Sequence, residues 1–201
     1  QNGAIDMPIG ASYNVFAPAL GPGVFLASAG SSSSANLAIT DPSLSASSIV
    51  LISSNWNPGG GSIGVYNAHT TSVGYSGGGW SIRNNDAVAF LSGASFNVYA
   101  QAPSSNAFVH TATMTNTTDS KTVLDHPLLN GVACASFQVT PRTGVHGDNT
   151  FDTYYDGSSW SIYNNASGAS SMAVGSSFFV VIDAAQVDGC TRPLMQDGFE
   201  D

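Results

Sequence analysis

Four kinds of side chain in this sequence have types and spacings that suggest chemistry. Serine is plentiful, but no Ser-x-x-Lys pair occurs. The four histidines, His69, His110, His126 and His146, show neither zinc spacing such as His-Glu-x-x-His nor an arrangement that organises a triad. A pair of carboxylates would suit glycoside hydrolysis. The single glutamate is Glu200, near the end of the chain, so two aspartates would have to serve. Asp148, Asp152 and Asp156 are four residues apart, and residues four apart on a strand share a face. They form the candidate metal set, for Ca²⁺ with nearby carbonyls. A plain solvated acidic face explains the same spacing, since no Asp-x-Asp-x-Asp loop occurs, and no other cofactor is expected. His126 precedes Pro127 and is expected to hold a loop by hydrogen bonding.

The aromatics carry more. Trp56 lies between Asn55 and Asn57 and is followed by Pro58 and three glycines, which places it on a loop. Indole rings stack on sugar rings and flanking amides bond sugar hydroxyls. Asn55, Trp56, Asn57 and His69 are therefore the candidate ligand set, for an extracellular glycan. Packing inside a hairpin is the competing reading of Trp56. Trp80 and Trp160 each alternate with an isoleucine, as core residues on a strand do.

The elements that position these residues are repeated. Tyr75-Ser-Gly-Gly-Gly-Trp-Ser-Ile-Arg-Asn-Asn85 matches Tyr155-Asp-Gly-Ser-Ser-Trp-Ser-Ile-Tyr-Asn-Asn165, and Ile49–Ser53 falls opposite Ser136–Thr140. Phe25 matches Phe108, and Asp41-Pro-Ser-Leu44 matches Asp125-His-Pro-Leu128. One short segment occurs three times, as Gly10-Ala-Ser-Tyr-Asn-Val-Phe-Ala17, Gly93-Ala-Ser-Phe-Asn-Val-Tyr-Ala100 and Gly175-Ser-Ser-Phe-Phe-Val-Val-Ile182. A fixed period of this kind marks repeated units. Apolar and polar residues alternate throughout, turns are glycine-rich, and no segment has helical period. The expected fold is all-β, with two tandem β-sandwich-like units and an additional repeat-derived strand at the N-terminus. The expected boundaries are 1–23 for the extra strand, 24–104 and 105–190 for the units, and 191–201 for an acidic tail.

Charged residues are 8% of the chain and the net charge is −9, with Arg83, Lys121, Arg142 and Arg192 its only lysine and arginine residues. Nucleic acid and anionic membranes require clustered basic side chains, so neither is expected as a partner. No apolar run reaches membrane-spanning length. Gln1 reads as a terminus left by signal cleavage. Cys134 and Cys190 are expected to form one disulfide closing a loop of about 57 residues, worth about 4 kcal/mol in the chain-entropy model, with two buried free thiols as the alternative. These features predict an exported bacterial protein, secreted or at the cell surface.

Asp125-His-Pro-Leu-Leu-Asn-Gly131, Asn55-Trp-Asn-Pro-Gly-Gly60, Val65-Tyr-Asn-Ala-His69, the Tyr-x-Gly-x-x-Trp-x-Ile-x-Asn segments and Gly-Ala-Ser-Phe-Asn-Val together resemble a functionally uncharacterised family of secreted bacterial β-repeat domains. Asp197-Gly-Phe-Glu200 also resembles a short tail of exported gammaproteobacterial proteins. The family resemblance implies export and a β fold, and supplies no activity. Its motifs are divided between the two units: the first lacks Asp-His-Pro-Leu, and the second reads Thr140-Pro-Arg-Thr143 near the Asn-Trp-Asn-Pro position.

Three copies of a strand in two units leave one to spare. If the N-terminal copy serves the first unit, the C-terminal one is surplus. If each unit uses its own C-terminal copy, the N-terminal one is surplus. A spare strand caps an edge or pairs with another molecule; a chain that is a fragment of a longer array explains the same count. The expected assembly residues are Ala11, Tyr13, Val15, Phe96, Val98, Phe178 and Val180. The expected function is non-enzymatic, structural or adhesive, with self-association head to tail into fibres. A carbohydrate-binding module using the Trp56 loop is the alternative.

Overall fold

The computed structural model describes residues 15–31, 34–61, 63–145, 147–165 and 171–184. These contain β1 (Val24–Ser28), β2 (Asn36–Ile39), β3 (Ile49–Asn55), β4 (Thr71–Ser76), β5 (Gly79–Asn84), β6 (Ser95–Gln101), β7 (Ala107–Thr111), β8 (Thr117–Thr118), β9 (Lys121–Leu124), β10 (Phe137–Pro141), β11 (Phe151–Tyr155), β12 (Trp160–Asn164) and β13 (Ser177–Ile182). The strands are rich in β-branched and aromatic residues, whose stiff side chains suit a pleated, half-buried surface. All strand pairs within the sheets are antiparallel.

The chain is all-β, built as two repeats of one plan. In the first unit, sheet β1-β6-β3 faces sheet β2-β5-β4. In the second, β7-β13-β10 faces β8-β9-β12-β11. The registers equate the units residue by residue. Val98 lies between Phe25 and Ile52, and Val180 lies between Phe108 and Val139. Val73 opposite Ile82 corresponds to Thr153 opposite Ile162.

The shared motif residues hold the plan together. Trp80 Nε1–H donates to the Ser45 carbonyl and Trp160 Nε1–H to that of Val132, both at 2.8 Å. Asn84 and Asn164 are buried and donate to the Val88 and Ser171 carbonyls, pinning the following loop. Gly93 and Gly175 adopt φ of 89° and 95°, and their N–H groups donate to the Ala29 and Ala112 carbonyls. A side chain at that left-handed turn would be strained, which explains the glycine heading each of these two copies.

β6 and β13 are thus the central strands of their sheets, so each unit uses its own C-terminal copy and the N-terminal copy is the one to spare. Phe96, Val98, Phe178 and Val180 are buried, and neighbours flank both edges of their strands. They offer no free edge for pairing with another molecule. Ala11 and Tyr13 lie outside the described residues. Val15 is exposed, and Val15–Ala17 is not strand; Phe16 rests edge-on against Tyr99 with ring centroids 5.1 Å apart. Residues 191–201 also lie outside the described residues.

Candidate functional site

The two units meet through β13. One of its faces, Phe178, Val180 and Ile182, completes the core of its own unit. The opposite face, Phe179 and Val181, belongs to the core of the first unit. Phe179 lies 5.8 Å from Trp80, and the Arg142 guanidinium caps its ring at 5.0 Å. Burying such a phenylalanine contributes about 2–3 kcal/mol.

The edges of the first unit are engaged as well. The Ile52 N–H donates to Thr140 Oγ1 at 3.1 Å, and the Thr143 N–H donates to the Val73 carbonyl at 3.0 Å. This second bond extends β4 by a single parallel bridge, Val73 to Arg142. Gly74 makes the approach feasible, because a Cβ there would stand 3.0 Å from Thr143 Cβ and Oγ1.

The second unit has the same opening, and none of the described residues fills it. Between β10 and β11 runs a groove of about 930 Å³ whose lining includes Phe137, Val139, Phe151, Thr153, Trp160 and Ile162. These residues correspond in register to Val50, Ile52, Thr71, Val73, Trp80 and Ile82 of the first unit. Val73 is fully buried whereas Thr153 is exposed, and Trp80 is buried whereas Trp160 is half-buried. At the other end, the outer face of β1-β6-β3 corresponds to the face of β13 that carries Phe179. It bears Leu26, Asn97, Tyr99 and the buried Leu51 beside a groove of about 630 Å³, which Phe16, Leu20 and Gln138 to Thr140 of β10 also line. Leu26 there is 47% exposed.

Trp56 follows β3 directly and is 50% exposed. Its ring lies flat against Gly64, where a Cβ would come within 2.7 Å of two ring carbons, and its carbonyl accepts the Val65 N–H. Asn55 Nδ2–H donates to Asn97 Oδ1, and Asn57 Nδ2–H donates to the Gly61 carbonyl. The indole is therefore a fixed platform with amides beside it. His69 pairs instead with Asp86, at 2.6 Å. Asp86 is held below the ordinary carboxylate value, chiefly by the Val88 N–H.

The three candidate metal acids each have hydrogen-bond partners, and that of Asp148 lies in the first unit. Asp148 accepts from Thr70 Oγ1, and Asp152 accepts from Asn165 Nδ2. Asp156 accepts the Ser158 and Ser159 N–H groups and the Ser158 hydroxyl, which pull its pKa down to about 2, with a smaller contribution from Lys121. Its carboxylate fixes the turn before β12. Among the described residues no three acids, histidines or cysteines gather as a metal cluster.

His126 holds its loop as expected: Nδ1 accepts the Leu128 N–H, and the ring stacks on Phe108 at 4.7 Å. His110 bonds Thr122 Oγ1, and burial pushes its pKa down to about 4. His146 lies outside the described residues. Gly74-Tyr-Ser-Gly-Gly78 spells the Gly-x-Ser-x-Gly pattern of a nucleophile elbow. It forms a β4–β5 hairpin turn instead of the strand-to-helix turn that such an elbow requires. Cys134 is not a free thiol, and its expected partner, Cys190, lies outside the described residues.

Sequence reasoning missed Phe179, Gly74 and Thr143. The signal was present in the repeat itself: Phe179 stands where the first unit has Asn97, and Gly74 where the second has Tyr154.

The sequence model of a domain of unknown function (DUF7452) matches the chain twice, over residues 1–99 and 79–182. The two matches share 79–99, which includes the middle copy of the triplicated segment as far as Tyr99. Each match thus contains one copy near its start and another near its end. No curated protein and no solved structure matches the chain.

Proposed function

The chain belongs to the DUF7452 family of domains of unknown function, and we propose that it is a non-enzymatic, exported structural or adhesive module that works by association of its repeat surfaces. One observation carries this reading. The recurring polar motif residues (the indole N–H groups and the buried asparagines), together with His126 of the second unit, are committed to loop carbonyls and amides. What faces outward is sheet surface and groove, including at both ends the counterparts of surfaces joined in the middle. Self-association head to tail follows from that polarity. Light scattering of the full chain from micromolar to millimolar concentration, with electron microscopy of the concentrated sample, is expected to show growing mass and fibres. A constant monomer mass would overturn the reading. Export further implies a Cys134–Cys190 bridge, seen as an intact mass that rises on reduction.

The Trp56 platform favours a second reading, in which the module binds an extracellular glycan. A half-exposed indole fixed on Gly64 and flanked by amides suits a sugar face. Glycan-array binding that Trp56→Ala abolishes, with thermal stability changed by less than about 1 kcal/mol, would establish it. An array with no binder would remove it.

A further inference from the structure

We infer that the groove beside Trp160 is a socket for a second copy of this chain, which seats there the outer face of its β1-β6-β3 sheet as β10-β13-β7 is seated on the first unit. The inference rests on the structural reading above and names its contact. The internal joint is the precedent for this contact. In the first unit this opening is filled by a sheet face of the following unit, so that Val73 and Trp80 become buried. The second unit repeats the opening with Thr153 and Trp160 left exposed or half-buried. The face that would fill it is the repeat counterpart of the one already used, and it carries the exposed Leu26 beside Asn97.

Socket and plug lie on different units, and each is matched to a surface of the other kind. The contact is therefore heterologous and propagates along one direction. It is weaker than the internal joint. The plug carries Asn97 where the joint has Phe179, and Trp56 and Tyr154 replace Thr143 and Gly74 where the backbones approach. Both aromatics are about half exposed in the single chain, at 50% and 53%. Side-chain packing takes the place of the backbone bridge there.

The test uses the full chain and exposed positions, with circular dichroism to confirm folding. Thr153→Lys disables the socket and Leu26→Glu the plug, and each is expected to weaken self-association by at least about tenfold, since either buries an unpaired charge in an apolar contact. Mixing the two variants is expected to restore a dimer and nothing longer, because one intact socket meets one intact plug. The double change Asn97→Phe with Thr153→Val, which imitates the internal joint, is expected to tighten association by about tenfold. A wild type that associates with neither charge substitution affecting it overturns the socket and leaves the association reading standing. So does a mixture as silent as its parts. A wild type that remains monomeric overturns both.

Discussion

β6 and β13 are copies of one strand, and they live in different surroundings. β6 buries Phe96, Val98 and Ala100 and leaves Asn97 exposed, with Tyr99 and Gln101 half-buried. β13 buries Phe178 to Ile182 on both faces. The backbone pairing is the same, since each strand is central in a three-stranded antiparallel sheet. What differs is whether another sheet lies on the outer face. A half-exposed strand alternates apolar and polar residues, while a strand buried on both sides reads as continuously apolar. The difference between Phe-Asn-Val-Tyr-Ala and Phe-Phe-Val-Val-Ile therefore marks the position of the joint. Repeat proteins require such differences, because internal and terminal surfaces meet different partners.

The comparison breaks most severely if β13 is given the residue of β6. Phe179→Asn removes the ring from Trp80 and puts an amide into apolar surroundings, and is expected to cost about 3–4 kcal/mol. Calorimetry is expected to show a melting temperature lower by about 8 °C or more and the units melting apart. One unchanged transition would mean that the joint does not depend on this ring. The reciprocal swap on the neighbouring edge is Gly74→Tyr, which gives β4 the residue of β11. With Thr143 already at 3.0 Å from the added Cβ position, a cost of about 2–3 kcal/mol in urea unfolding is expected. Gly74→Ala should lose less than this.

His110 sharpens the contrast through pH, because its counterpart in the first unit is Ala27. Burial lowers the imidazole from 6.5 to about 4. Between those values the unfolded chain takes up a proton that the folded chain does not, so stability is full above pH 6.5 and falls as pH drops toward 4. The loss is expected to be on the order of 2 kcal/mol, allowing for partial exposure. His110→Ala should flatten this slope in denaturation curves taken across the range. If the slope is the same in the variant, another group is responsible. The smallest effect belongs to Asn97→Phe, an exposed position on β6. Monomer stability should move by no more than about 0.5 kcal/mol, in contrast to the cost of the opposite swap in β13.

Much of the fold was legible because its signals are local. The strand alternation around Trp80 and Trp160, the glycine turns and the equivalence of Ile49–Ser53 with Ser136–Thr140 in the two units all appear in the structure. Trp56 on a loop, and His126 holding its own loop, also follow from neighbours in sequence. His69 could not be placed that way, since its partner Asp86 reaches it across a hairpin. The aspartates were read as one face, but Asp156 lies in the turn after β11 and serves backbone amides there. The Phe179 contact joins residues 99 positions apart, and no periodicity reports a contact of that range.

The sequence by itself determined that the protein is a tandem β repeat, because alternation, turn glycines and a period of fixed length depend only on chain geometry and on which side chains avoid water. It also determined that one short segment occurs three times against two units. Only the tertiary structure decided which two copies are the central strands, and decided that one sheet serves two cores. Those outcomes depend on how two finished sheets pack, where burial on the second face of β13 and the lack of a Cβ at Gly74 let distant segments meet.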